Sequence, residues 1–259
     1  MKKILGMLGG MGPGATADAF IKLINNTHAS KDQEHIPIII VSLPDIPDRT
    51  ENIIYNGPSP LPAMIHSLKI LESAGVSCII MPCNTAHYWY EDLKKEININ
   101  FISIIDAACK KIIEDNVKKV ALLATTATIH TKLYQEKLNV NNIECIVPDE
   151  VNQYKIMQSI ILYKSGDLAK ARELLYPYIS QLKSRGIDKF VMGCTEIPLI
   201  LEELSKNNPE DFIDATEALI KEAINWYTMD EKREVDEEKT NKLIEFHWKL
   251  SFAITGVIW

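Results

Sequence analysis

The chain has 259 residues, 46% hydrophobic and 24% charged, enough for one large or two small domains with cores of their own and ordinary for a globular protein. Its net charge of −7 and pI near 5.5 argue against nucleic-acid or membrane-surface binding, since both lean on basic surface. The five cysteines, an odd number without CxxC spacing, point to a reduced, cytoplasmic setting rather than a disulfide framework.

Ile4 to Leu8 is a short apolar run bounded by glycine, which suits a buried parallel strand better than a secretory leader. It enters the turn Gly9-Gly10-Met11-Gly12-Pro13-Gly14, after which an amphipathic run from Thr16 to Asn26 predicts a helix. Backbone N–H groups of such a turn suit an anion, but the glycine spacing fits neither a P-loop nor G-x-G-x-x-G. Carboxylate binding and a purely structural turn are the readings left. Ile36 to Leu43 is a second strand, followed by a proline-stiffened loop, Pro44 to Thr50. Arg49 in that loop stands at a strand's carboxyl end, where open α/β sheets bind ligands; the alternative is a salt bridge to Asp45 or Asp48.

A helix opened by Ser59-Pro60 runs to Ser73, and Val76 to Met81 forms a third strand that delivers Cys83, with a helix behind it to Glu96. Phe101 to Ile105 reads as a fourth strand, with a helix starting at Asp106. Strands follow at 118–123 and from Ile143 to Val147, helices from Val151 to Lys164 and Asp167 to Ser184, and a strand from Phe190 to Met192 that delivers Cys194. Thr125, Thr126 and Thr128 stand where the first half has glycines, placed either to bind a ligand's oxygen or to cap the next helix. Ten of the thirteen residues from Asp230 to Lys242 are ionisable, which marks a solvated linker or helix face. Leu243 to Trp259 turns apolar but is too short and too interrupted for a membrane span.

Two stretches organise the whole: Met81-Pro82-Cys83-Asn84-Thr85-Ala86-His87 and Met192-Gly193-Cys194-Thr195-Glu196-Ile197-Pro198. Upstream, Leu71, Gly75, Val76 and Ile80 align with Leu182, Gly186, Ile187 and Val191 at one constant spacing. Lys118 to Leu123 echoes Lys2 to Met7, and Asp214-Ala215 echoes Asp106-Ala107. The chain therefore reads as a duplication. It predicts an α/β fold of two pseudo-symmetric lobes, each a mainly parallel sheet flanked by helices, with the active site in the cleft between them. The first lobe is expected over 1–105 with 214–229, the second over 106–213, and 230–259 as an extension of unassigned role.

A cysteine at a strand-to-helix junction is placed for a lowered pKa, and two thiols on opposite faces of one carbon suit proton removal on one side and delivery on the other. Other readings stay open: a zinc site from Cys83, His87, Cys194 and Glu196, a Cys–His nucleophile for acyl transfer, or inert buried cysteines. The last is the reading for Cys78, Cys109 and Cys145.

The stretches Gly9-Gly10-Met11-Gly12-Pro13, Pro82-Cys83-Asn84-Thr85-Ala86-His87 and Gly193-Cys194-Thr195-Glu196-Ile197 resemble the signatures of the aspartate/glutamate racemase superfamily, in its aspartate racemase branch. The likeness runs from Lys2 to Tyr227, with Glu196 where glutamate racemases typically carry histidine. It implies a cofactor-independent racemase, with no metal, that uses Cys83 and Cys194 as the acid/base pair on a small dicarboxylic amino acid. It further implies substrate contacts from Met11, Arg49, Asn84, Thr85, Ala86, Lys164 and Thr195, Lys155 ranking behind Lys164, and a homodimer. Aspartate is the expected substrate, with glutamate second. A dicarboxylate isomerase or decarboxylase on the same scaffold, or a non-catalytic amino-acid sensor, are the alternatives.

Overall fold

The computed structural model describes residues 3–229, so the charged and apolar stretches of 230–259 lie outside it. Eight strands form two four-stranded sheets. The first contains β1 (Leu5–Gly9), β2 (Ile38–Ser42), β3 (Cys78–Ile80) and β4 (Asn100–Ile102); the second contains β5 (Lys119–Ala124), β6 (Glu144–Ile146), β7 (Phe190–Gly193) and β8 (Phe212–Asp214). Their orders are β2-β1-β3-β4 and β6-β5-β7-β8, every pairing is parallel, and each sheet carries helices between successive strands. Each cysteine of the repeated motif comes just after the third strand of its sheet, β3 or β7, at the carboxyl end. Open parallel sheets place ligands at that end.

Side chains alternate along the strands, as the two-residue period of a pleated sheet demands. Leu5 and Met7 of β1, Cys78 and Ile80 of β3, Val120 and Leu122 of β5, and Val191 of β7 enter one core shared between the lobes. Leu8, Ile79 and Met81 face a second cluster, and Ala121, Leu123, Phe190 and Met192 a third, each on the outer side of its own sheet. The last helix, 215–229, inserts Leu219, Ile220 and Ala223 into the shared core. At its far end the Lys3 ammonium lies 4.6 Å from the Trp226 ring centroid.

Three expectations are corrected. The fourth strand stops at Ile102, because Ser103 caps a helix over Ile104–Glu114 by accepting from the Asp106 backbone N–H at 3.1 Å. The true counterpart of Asp214 is therefore Ser103, at the same spacing that separates the two motif cysteines. Asp214 likewise caps its helix, accepting from the Thr216 backbone N–H at 2.8 Å. The loop Pro44 to Thr50 ends in a helix over Arg49–Tyr55 that begins at Arg49 itself, capped by Asp48, which accepts from Thr50 and Glu51 backbone N–H groups at 2.8 and 2.9 Å. Behind Cys83 a 3-10 turn over Thr85–Trp89 precedes a short helix, Tyr90–Lys95.

Among the described residues no helix is long and apolar enough to cross a membrane.

Candidate active site

The glycine turn after β1 is shaped by close backbone approach. Gly10 has φ +87°, and a Cβ there would collide with the Leu43 backbone just past β2, so only glycine fits. Thr16 fastens the turn: its hydroxyl accepts from the Gly10 backbone N–H at 2.9 Å and donates to the Gly12 carbonyl at 3.0 Å. Met11 is thereby buried at the wall of a small cavity of about 30 Å³.

That cavity gathers residues from both lobes: Met11, Arg49, Cys83, Asn84 and Thr85 from the first half, and Lys164, Cys194 and Thr195 from the second. Ala86 is fully buried in the outer core of the first lobe and is not part of the lining. Lys155 is not part of it either. Asp48, Thr50 and Glu196 also line it, although no sequence pattern marks them as substrate contacts, and so does Thr125, one of the threonines expected to bind a ligand oxygen or to cap a helix. A wider chamber of about 540 Å³ shares Asp48, Arg49, Lys164 and Glu196 with it and is otherwise bounded by the glycine turn, Ile46 and Tyr163. A volume of this order suits a small molecule.

Arg49 is buried, and its guanidinium donates from Nη1 to the carbonyls of Ile46 (3.3 Å) and Pro47 (3.2 Å), while Nε has no partner. It pairs with neither Asp45 nor Asp48; Asp48 is engaged in capping. Lys164 ends the helix Glu150–Lys164, and its ammonium lies 3.6 Å from Glu196 Oε1. Burial pulls the Lys164 pKa down, but the charges of Glu196 and Cys194 outweigh it and hold it above the usual lysine value.

The two thiols have unlike neighbours. Cys194 Sγ donates to Glu196 Oε2 at 3.0 Å, and the Thr195 hydroxyl donates to the same oxygen at 3.3 Å. Burial pushes the Cys194 thiol well above its ordinary value, and the Glu196 charge pushes further, with Lys164 opposing. The expectation that a strand-to-helix junction favours a thiolate therefore fails at Cys194, where desolvation and a carboxylate win. Cys78, Cys109 and Cys145 are each pushed up to about 12 by burial. All five cysteines are free.

Beside Cys83, His87 serves the backbone. The Ile104 N–H donates to Nε2 at 3.0 Å, which leaves Nδ1 to carry the proton and donate to the Cys83 carbonyl at 2.8 Å. With both ring nitrogens engaged, His87 has no lone pair for a metal and does not face the Cys83 thiol as a base. Burial depresses its pKa to about 4. Among the described residues no group of three His, Cys, Asp or Glu side chains is arranged to hold a metal ion.

Among the threonines that replace the glycines the capping role is observed, together with a set of hydroxyl contacts. Thr125 caps the helix Thr126–His130 by accepting from the Thr128 N–H at 3.1 Å. Its hydroxyl also lies 2.8 Å from that of Thr85, with Thr128 closing the triangle at 3.1 and 2.9 Å. This cluster ties the turn after Cys83 to the opposite lobe.

Two parallel sheets built from an internal repeat, with helices around each, constitute the two-lobed α/β racemase fold. The family model for Asp/Glu/hydantoin racemases matches residues 8–223, and the chain belongs to that family; it is an isomerase, an amino-acid racemase. It is similar to the aspartate racemase of Picrophilus torridus, at 37% identity and a TM-score of 0.79, with 87% of this chain and 94% of that one covered. It is also similar to the broad specificity amino-acid racemase RacX of Bacillus subtilis, at 28% identity over 86% of this chain and 98% of RacX. Against the glutamate racemase of Aquifex pyrophilus the identity is 30% over 58% of each chain.

Proposed function

We propose that the protein interconverts L- and D-aspartate, with glutamate as a second substrate, using Cys83 and Cys194 as a thiolate/thiol pair without a cofactor. The observation that carries this reading is the lining of one small cavity by both repeat cysteines together with Arg49 and Lys164. The 37% identity with an aspartate racemase favours aspartate as the substrate.

In one direction the Cys83 thiolate takes the Cα proton, breaking C–H and forming S–H, while the Cys194 S–H gives its proton to the opposite face of Cα. The configuration inverts, and the thiolate ends on Cys194. The resting hydrogen bond to Glu196 and the raised pKa both keep Cys194 protonated, which is the state a donor needs. The carbanion that forms must be stabilised by fixed charges and dipoles. Arg49, with its Nε unpartnered, and the Asn84 amide, whose Nδ2 is buried without a partner, are the groups available for the substrate's carboxylates. Lys164 supplies a second cation once Glu196 yields to the substrate.

The test is proton NMR of L-aspartate in D₂O with reduced protein, alongside chiral chromatography. Loss of the α-proton signal as D-aspartate accumulates is the expected result. No exchange with aspartate and rapid exchange with another amino acid would overturn the substrate assignment.

A further inference from the structure

Tyr134 is a fully buried residue that lines neither chamber, yet it touches the neighbours of both repeat cysteines. Its hydroxyl donates to Asn84 Oδ1 at 2.6 Å, across the interface between the lobes. Its ring lies against Gly193, the residue before Cys194. A Cβ at Gly193 would come within 3.2 Å of the ring's Cε2 and within 2.8 Å of Leu122 Cδ1, so the absence of a side chain there makes room for the tyrosine. Burial raises the Tyr134 pKa well above its usual value, so the hydroxyl stays protonated and needs an acceptor. Asn84 Oδ1 is the one it has, and with that oxygen committed, the amide's other end is settled. Nδ2, buried and without a partner, belongs to a residue that lines the reaction cavity.

We propose that Tyr134 is a positioning residue for the racemase site, a role that rests on the two-thiol reading of that site. Its hydroxyl locks the Asn84 amide with its N–H₂ toward the substrate, and its ring braces the turn that carries Cys194. An unlocked amide would present its oxygen to a carboxylate for part of the time, and repulsion there would weaken substrate binding. The role is indirect, since the tyrosine reaches no reacting atom.

Tyr134→Phe keeps the ring and removes only the lock. It is expected to lower kcat/KM about tenfold, chiefly through KM, with little change in Tm. In an Asn84→Ala background the same substitution should cost nothing further, because the group it orients is gone. Equal losses in the two backgrounds, or a loss that tracks a fall in Tm, would overturn the proposal. A second readout needs no substrate: in isotope-labelled protein the Asn84 side-chain amide signals should shift and exchange faster with solvent in Tyr134→Phe. Signals unchanged by the substitution would overturn it as well. A wild-type protein that fails to exchange aspartate would count against the substrate assignment alone, since the amide signals report on the lock directly.

Discussion

The Cys83 turn and the Cys194 turn occupy equivalent places in the two halves, after β3 and β7, and differ in the side chains just beyond the cysteine. After Cys83 come Asn84, Thr85 and His87, whose polar atoms are mostly turned to holding structure: His87 bridges two backbone groups, and Thr85 joins a hydroxyl cluster with the other lobe. After Cys194 come Thr195 and Glu196, which place a buried carboxylate 3.0 Å from the thiol. Duplication thus supplied two equivalent backbone turns, and divergence of a few side chains gave the two thiols different electrostatic settings. A reaction that needs one base and one acid at the same moment has use for that inequality.

The largest effect expected from breaking the comparison is loss of either thiol. Cys83→Ala and Cys194→Ala should each reduce racemisation about a thousandfold or more, with thermal stability near that of the wild type. The informative reading is the residual exchange in D₂O. With one base left, each variant should wash out the α-proton of one enantiomer only, and the two variants should choose opposite enantiomers. Exchange of the same enantiomer in both would mean that the thiols do not flank the substrate carbon.

Next in size is the acid sensitivity of the first turn. His87 titrates at about 4 in the fold against 6.5 for an ordinary histidine. The unfolded chain therefore binds this proton more readily, and the stability it withholds from the fold grows as pH falls from 6.5 toward 4. Over that window His87 should cost about 3 kcal/mol of stability, fully restored above pH 6.5. Denaturant titrations of wild type and His87→Gln across the window measure it: the glutamine can still donate to Cys83 and accept from Ile104, but takes up no proton. Equal pH slopes for the two proteins would contradict a neutral buried His87.

Much of this inequality is hidden from the sequence, although the scaffold is not. The repeat spacing, the apolar runs of β1, β3, β5 and β7, and the placement of Cys83 and Cys194 at strand ends are legible because they rest on local pattern. Where local signals compete, the sequence misleads. Ile104 and Ile105 prolong the apolar run of β4 and mask the cap at Ser103 with Asp106 three residues on, so the strand reads too long. Pro44 and Pro47 make the stretch before Arg49 look like loop throughout, although Asp48 with Glu51 three residues later is a helix-start signal. The contacts of Tyr134 with Asn84 and of Thr125 with Thr85 join residues tens of positions apart, and no spacing rule announces them. Glu196 is visible as an oddity of the motif, but its hold on both Cys194 and Lys164 requires the fold.

Glu196 is also where the smallest perturbation sharpens the comparison most. Glu196→Gln preserves shape and an acceptor for the Cys194 S–H while removing the charge that helps to push the thiol up and that holds Lys164 above its usual pKa. Burial remains, so Cys194 should stay above an ordinary thiol, but lower than in the wild type, since Lys164 then acts on it unopposed. Ultraviolet thiolate titration in a Cys83→Ala background, read as the difference from the Cys83→Ala/Cys194→Ala protein, isolates the effect from the three other thiols, which burial also pushes up. The expected result is a Cys194 titration displaced to lower pH by Glu196→Gln, with the same displacement in the alkaline limb of the pH–rate profile when Cys83 is present. An unmoved titration would mean that burial alone sets Cys194, and the two turns would then differ in structure without differing in charge.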